Sequence, residues 1–555
     1  MDRAVLLIAL VISAGVVSSS CGPTIAPCTA ESCAAGCCDE NGVCVAGRTS
    51  FACGSGGAAC AVCATNEVCV AAPCVLPAPD AGLDAGVDAG LDAGAPFDAG
   101  TPRSVTFART AELLVPDGGT RLIPNQLSTL TASLYFELPT GEFATRTPRA
   151  GGTSLVFDDV AEGPYTIVYE RAGAKQMPQS DAPLVDVGPR LAGKRTTTVT
   201  MTTLVTVDAG LPGTWEPGDS WSMVSFAASM YRDGVSALRQ GTLPRASANL
   251  DVSLATLPYE VAAGDDLSLV YNRNYPDAGP AVLTAALYGV TLSSPAITNG
   301  MPLTLRPDLT VLPREGASLT LRSSEFAQFA TDVNPNAISP SHRLQVFATF
   351  GTPGLDGGDY ESRSPSLMTL RSSGTDDLSA DVTWGSPYPE LAPINVYRAT
   401  GSVVVPLTYQ GRTLNRSVDA FITQHLASPT ASIGPELTAP RFPRINGETA
   451  FVDRNGVSVT PVLEWSPPQV GVPTQYSISL WRLAISGTNL TQTFGGSGYT
   501  AGTRFRVPPG VLMPGEAYFA FIVAQRLTAN DVRVTPIRTS RVYAEGTAMT
   551  NVFTP

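Results

Sequence analysis

From Val105 to the C-terminus, apolar residues come in short runs rich in β-branched and aromatic side chains, separated by Gly, Pro, Asp and Asn. STLTASLYFEL, TSLVFDDV, YTIVYE, TTTVTMTTLVTV, LSLVY and HRLQVFATF keep a partial period of two, which puts alternate side chains on opposite faces of a strand. Asp117-Gly118-Gly119, Pro212-Gly213 and Asp356-Gly357-Gly358 supply turns between such runs. Few windows hold a helical period; the best is residues 417–426, SVDAFITQHL, with Val418, Phe421, Ile422 and His425 on one face. The expected fold is all-β: tandem β-sandwiches that bury the apolar side of each sheet against a second sheet.

At 555 residues the chain exceeds what one core serves, so several domains are expected. The pattern divides it into a signal segment (1–20), a cysteine-rich module (21–75), a linker (76–103) and β domains at 104–205, 206–312, 313–438 and 439–555. GDSWSMVSFAASM and GASLTLRSSEFAQF resemble each other and are read as repeated module starts near 215 and 315.

Before Val105 the pattern is different. Residues 1–21, MDRAVLLIALVISAGVVSSSC, place one Arg before an apolar run that is too short to cross a bilayer comfortably and suits an export signal. Eleven cysteines follow at Cys21, Cys28, Cys33, Cys37, Cys38, Cys44, Cys53, Cys60, Cys63, Cys69 and Cys74, and none thereafter. Setting Cys21 aside leaves an even number, and such density in a small exported module reads as a disulfide scaffold whose pairing stays open. A zinc reading of Cys60-Ala61-Val62-Cys63 lacks a second well-spaced pair. Residues 79–100, PDAGLDAGVDAGLDAGAPFDAG, repeat Asp-Ala-Gly without the ligand spacing of a calcium loop; they read as a disordered acidic tether that holds the β domains away from the anchor.

Several of these stretches resemble known families. VSSSC resembles the lipobox of bacterial lipoproteins, which implies Cys21 as the acylated first residue of the mature protein. Ser18 stands where an aliphatic residue is common. Gly22 lacks the Asp that resembles an inner-membrane retention signal, so an exported protein at the outer membrane or cell surface is expected, lipid-anchored. The cysteine-rich region followed by Asp-Ala-Gly resembles uncharacterised surface lipoproteins of high-GC Gram-negative bacteria. TSLVFDDVAEGPYTIVYE, within 105–200, is similar to carboxypeptidase-regulatory or transthyretin-like sandwiches and implies Val156, Val160, Tyr165, Ile167 and Tyr169 at or near the core. VLEWSPP, YSISLWRL and FRVPPGVLMPGEAYFAFIVAQR resemble a fibronectin type III domain, with Trp465 as the early-strand tryptophan and Tyr518 as the late-strand tyrosine.

Charge and candidate chemistry narrow the function. A net charge of -13, with Lys175 and Lys194 the only lysines, leaves no basic tract for nucleic acid. His342, read as a turn residue, and His425 are the only histidines, and no nucleophile elbow, zinc-protease motif or phosphate loop occurs. Asp158-Asp159, Asp265-Asp266 and Asp376-Asp377 are read as turn acids. No cofactor or metal is expected, and no catalytic residue is assigned. The leading expectation is a non-catalytic lipid-anchored surface protein with a binding, adhesion or structural role toward a protein or polysaccharide ligand. The rival is a glycan-binding or glycan-cleaving protein that uses Trp384 and Tyr388 in WGSPYPELAPINVYR as stacking platforms; burial of these aromatics between sheets is the competing reading.

Overall fold

The computed structural model describes short stretches between residues 29 and 75, and residues 102–555 apart from 115–119, 172, 189, 193–203, 214–215, 217, 226–229, 237–244, 252–265, 276–280, 294–302, 350–365, 387–393, 426–429, 528–530 and 539–542. It divides into two compact units, Met1–Asp98 and Ala99–Pro555. The acidic tract, Cys21 and the signal segment lie outside the described residues.

In the first unit, two-residue strands pair as Cys37–Cys38 with Cys44–Val45, Arg48–Thr49 with Ala52–Cys53 and Val68–Cys69 with Cys74–Val75. Ladders this short do not hold themselves together in water. Cys37 is bonded to Cys60, and Cys33 and Cys38 are also disulfide-bonded. Cys60 is therefore not a free thiolate for zinc.

The second unit is built from two-sheet modules. The first contains β1 (Arg103–Ala108), β2 (Ala132–Glu137), β3 (Phe143–Arg146), β4 (Arg149–Gly151), β5 (Ser154–Val160), β6 (Tyr165–Arg171), β7 (Ala174–Ser180) and β8 (Leu184–Asp186). The second contains β9 (Leu204–Gly210), β10 (Ser220–Ser225), β11 (Met230–Ser236), β12 (Arg245–Asp251), β13 (Leu267–Tyr275), β14 (Ala281–Leu292) and β15 (Leu303–Leu305). The third contains β16 (Arg314–Leu321), two short helices α1 (Ser323–Ala327) and α2 (Ala330–Val333), then β17 (Ile338–Thr349), β18 (Ser366–Ser373), β19 (Leu378–Gly385), β20 (Ile394–Tyr409), β21 (Arg412–His425) and β22 (Thr430–Ile433). The fourth contains β23 (Arg441–Ile445), β24 (Val462–Ser466), β25 (Gln475–Ser486), β26 (Asn489–Thr500), β27 (Arg504–Arg506), β28 (Ala517–Leu527) and β29 (Tyr543–Met549).

The first three modules share one topology. In each, the opening strand lies between an antiparallel neighbour and a late strand of the module that runs parallel to it: β5-β1-β8, β12-β9-β15 and β19-β16-β22. The equivalent opening strands are thus β9 and β16. The expected likeness of GDSWSMVSF to GASLTLRSS is corrected by this topology, because the former is β10, in the other sheet of its module.

The fourth module pairs β23 with β24 and β24 with β27 in one sheet, and orders β26-β25-β28-β29 in the other. Trp465 and Tyr518 are buried within it, and the Tyr518 hydroxyl accepts a hydrogen bond from the Met513 N–H at 3.0 Å. That backbone bond is the tyrosine corner of immunoglobulin-like sandwiches, so the fibronectin-like architecture rests on this module's own geometry.

The modules join edge to edge. One 19-stranded sheet has the spine β11-β10-β13-β14-β18-β17-β20-β21-β29-β28-β25-β26-β7-β6-β2-β3. The second module meets the third through β14 and β18, and the third meets the fourth through β21 and β29. The fourth meets the first through the parallel pair β26 and β7. A sheet edge exposes unpaired N–H and C=O groups, and each joint removes two such edges. The β26–β7 joint needs glycine. A Cβ on Gly496 would lie 2.4 Å from the Lys175 carbonyl oxygen, and one on Gly498 would lie 2.6 Å from the Phe505 ring.

Burial follows the period of two, with instructive exceptions. In β5, Leu155 and Phe157 are buried and Val156 is only half-buried, whereas Val160 is fully buried. A bulge between Phe157 and Val160, with Asp159 at φ 55°, inserts the residue that switches the face. Val156 is therefore not a core residue, while Val160, Tyr165, Ile167 and Tyr169 are. Residues 417–423 belong to β21 and not to a helix; Val418, Ala420 and Ile422 alternate with Asp419, Phe421 and Thr423. The 16-residue β20 and 14-residue β21 form a hairpin that extends along the fourth module, where Arg412 Nη1 donates to the Gly487 carbonyl at 2.5 Å. Val403, Val405, Leu407 and Val418 from that hairpin share an apolar cluster with Leu483 and Phe519. This burial on both faces explains the nearly continuous apolar text of β28.

Candidate functional site

Trp384, on β19, is 2% exposed and belongs to the core cluster shared by Leu319, Leu344 and Leu370. That burial removes its ring from reach of an external sugar and corrects the stacking assignment. Tyr388 lies outside the described residues. Of the assigned half-cystines, Cys33, Cys37, Cys38 and Cys60 are in disulfides; Cys28 and Cys63 lie outside the described residues, and only the backbone is described at Cys44, Cys53, Cys69 and Cys74. His342 is not a turn residue: it sits inside β17, 3% exposed, on the same face as Leu344 and Val346. His425 ends β21, and only its backbone is described.

The paired acids have structural partners. Asp158, at the β5 bulge and not in a turn, accepts from Ser104 and pairs with Arg149 at 2.7 Å. Asp377 accepts from the Ser324 N–H at 3.0 Å and from its hydroxyl at 2.7 Å, next to the start of α1. Asp265 lies outside the described residues.

The His342 side chain lines a small cavity of about 20 Å³ with Phe326, Phe329, Gly401, Val418 and Leu437, room for one water molecule. Its Nδ1 is buried without a hydrogen-bond partner. Desolvation pulls its pKa below the ordinary histidine value, against a hydrogen bond to the Gly374 backbone and the charge of Asp377. The imidazole is therefore neutral at neutral pH. The cavity is too small for a substrate.

A different arrangement occupies the other face of the spine in the third module. Leu344, Val346, Met368, Leu370 and Ala399 point into the core, so the period of two sends Arg343, Gln345, Thr369, Arg371, Arg398 and Thr400 to the opposite side. Strand register brings the arginines together. Arg343 lies directly opposite Arg371 on one neighbour and opposite Thr400 on the other, and Arg398 lies two residues from Thr400 on the same strand. The Arg398 guanidinium sits 3.7 Å from the centroid of the Phe421 ring on β21. Among the described residues none of the three arginines has an ion-pair partner. Arg398 Nε and the hydroxyls of Thr400 and Thr423, both 1% exposed, are buried without hydrogen-bond partners.

The acids nearest this row are used or offset. Glu545, opposite Phe421 on β29, accepts from Gln525 at 2.6 Å, and Gln525 in turn accepts from Gln475 at 2.8 Å. Burial raises the Glu545 pKa, with Asp419 reinforcing it and Gln525 and Arg398 opposing. For Arg343, burial and then the charges of Arg371 and Arg398 lower the pKa, against Asp419. Guanidinium groups only donate hydrogen bonds and do not exchange protons in ordinary conditions. The guanidinium row can hold an anion. The sequence reading missed it: RLQ, LRS and YRAT each show an arginine at a polar position of a strand, but only the register aligns them.

Among the described residues no group of three or more His, Cys, Asp or Glu gathers at a candidate metal site, and no helix is long and apolar enough to cross a membrane. The strand architecture defines the class, an all-β protein of tandem sandwiches. No family model matches the chain and no curated protein matches it. Solved structures that align with it include a leucine-rich repeat protein from Bacteroides thetaiotaomicron (8% identity, TM-score 0.14, 42% of this chain and 26% of that one). A streptococcal ancillary pilin aligns at 10% identity and TM-score 0.11 over 60% of this chain and 98% of that one. The FN1-FN3 domains of chicken CNTN1 align at 8% identity and TM-score 0.12 over 60% and 90%. Overlaps this poor carry no argument, so the architecture stands on the strand pairing.

Proposed function

We propose that the chain is an exported, lipid-anchored cell-surface protein whose β unit serves a non-catalytic binding or structural role. The joining of the modules through one sheet supports this most directly. Hydrogen-bonded joints at β14–β18, β21–β29 and β26–β7 suit a stiff body that presents a fixed face, where a substrate-closing enzyme needs a hinge. The cysteine-rich base and the acidic tether between Cys21 and the β unit fit the same role. Cell-surface placement and lipidation rest on VSSSC and the tract that follows it. Metabolic labelling with a fatty acid tests the anchor: wild-type chain takes up label and Cys21→Ala does not. Equal labelling of both would refute the anchor.

A glycan-binding role is the second reading. Its support is no longer Trp384 but the arginine row on β17, β18 and β20, which makes no ion pair among the described residues.

A further inference from the structure

We propose that the arginine row Arg371-Arg343-Arg398 binds an acidic polysaccharide, with the guanidinium groups holding carboxylates on successive sugar units. The inference rests on the binding role proposed above and names the ligand class for that role.

Three observations carry it. First, like charges directly opposite one another in a sheet are destabilising, and the Arg343↔Arg371 pair is such an arrangement with Arg398 diagonally beside it. In a chain with 48 acids and 35 basic residues, three adjacent arginines that make no close ion pair among the described residues, and feel only the charges of Asp419 and Glu545, are a cost that a bound anion would offset. Second, the Arg398 guanidinium is held 3.7 Å from the centroid of the Phe421 ring, which restricts the position of its donors before any ligand arrives. Third, Arg398 Nε and the Thr400 and Thr423 hydroxyls are buried and unpartnered in the same patch, whereas buried polar groups ordinarily have partners.

Spacing favours a polysaccharide over nucleic acid. Arg371 and Arg343 sit on adjacent strands ~4.8 Å apart and Arg398 lies diagonally beyond at ~7 to 8 Å, so the row spans about 12 Å. A uronic acid polymer carries one carboxylate per sugar ring, a spacing of the same order. Duplex DNA carries a charge every ~1.7 Å and needs a longer basic track than three arginines within a chain of net charge -13. Asp419 and Glu545 limit the patch on the β21 and β29 side and keep it short.

The test uses the purified full chain and polygalacturonate as the probe, with dextran as the neutral polymer, inorganic phosphate as the small anion and a single-stranded oligonucleotide as the alternative polyanion. Arg371 is exposed, so Arg371→Glu keeps the fold, which a matching thermal unfolding curve verifies. We expect polygalacturonate binding that weakens with salt, falls at least tenfold in Arg371→Glu, is lost in Arg343→Gln/Arg371→Gln/Arg398→Gln, and is unchanged in Arg444→Gln on the other sheet of the fourth module. Absence of binding, or unchanged binding by Arg371→Glu, overturns the proposal. Equal binding of dextran would make charge irrelevant, equal binding of the oligonucleotide would assign a different polymer, and full competition by phosphate would reduce the row to a general anion site. Each of these outcomes also counts against the proposal. All of them are read on purified protein, so failure here leaves the surface location standing, and failure of Cys21 labelling leaves this binding result intact.

Discussion

His342 makes the third module sensitive to acid. Its pKa is lowered by burial, so as the pH falls below the ordinary value of 6.5 the unfolded chain takes up a proton that the folded chain refuses. Stability is complete above that value and declines on the acid side, by at most about 1.4 kcal/mol per pH unit for one proton. Thermal unfolding between pH 7 and 5 should show this decline in wild type and a shallower one in His342→Leu; parallel curves would contradict the assignment. At the β26–β7 joint, Gly498→Ala should cost about 1 to 3 kcal/mol, because the new methyl meets the Phe505 ring. An unchanged Tm would show that the ring has room to move. His342 and Val156 show what period-two reading can and cannot deliver. His342 shares the parity of Leu344 and Val346 in HRLQVF, so its burial was legible and was missed by treating polarity as a turn signal. Val156 was misplaced for the opposite reason: strict parity fails at the bulge before Val160, and nothing but the fold announces a bulge.

Among the elements, the hairpin β20–β21 and the segment between β28 and β29 tie modules together. Arg538, in that segment, donates to Asp186 Oδ2 at 2.9 Å and to the Thr110 carbonyl at 3.0 Å, and lies 3.7 Å from Glu112. Its side chain is 14% exposed, so solvent screens this cluster less than an ordinary surface pair. Arg538→Met should cost about 2 kcal/mol, less than breaking an isolated buried pair, because the Thr110 and Gly188 N–H groups still serve Asp186. Chemical denaturation of the full chain measures it, and a midpoint equal to wild type would refute the role of this tie. The strands themselves were legible from β-branched runs; the turns expected at Asp117-Gly118-Gly119 and Asp356-Gly357-Gly358 lie outside the described residues. The hairpin was not: SVDAFITQHL satisfies a helical spacing by chance, and its pairing partner lies in a strand that only the fold places alongside. FGGSGYT gave no strand signal, since its glycines serve close backbone approach at Gly496 and packing at Gly498.

For the whole molecule, the all-β class and the fibronectin-like last module followed from composition and from Trp465 and Tyr518. Edge joining did not, because strand-to-strand hydrogen bonds are made by backbone and leave little trace in side-chain identity. The candidate site was illegible for the same reason. Each arginine stood in its own strand, and their grouping depends on the register of β17, β18 and β20. If this body stands outside the cell on a lipid-anchored tether, as proposed, its chain is open to protease added to intact cells. Protease applied to intact cells tests it most directly, with the fate of residues 102–555 followed by antibody. The compact fragment should leave the cell pellet and enter the medium without permeabilisation; a fragment that stays with the cells until the outer membrane is opened would place the body inside.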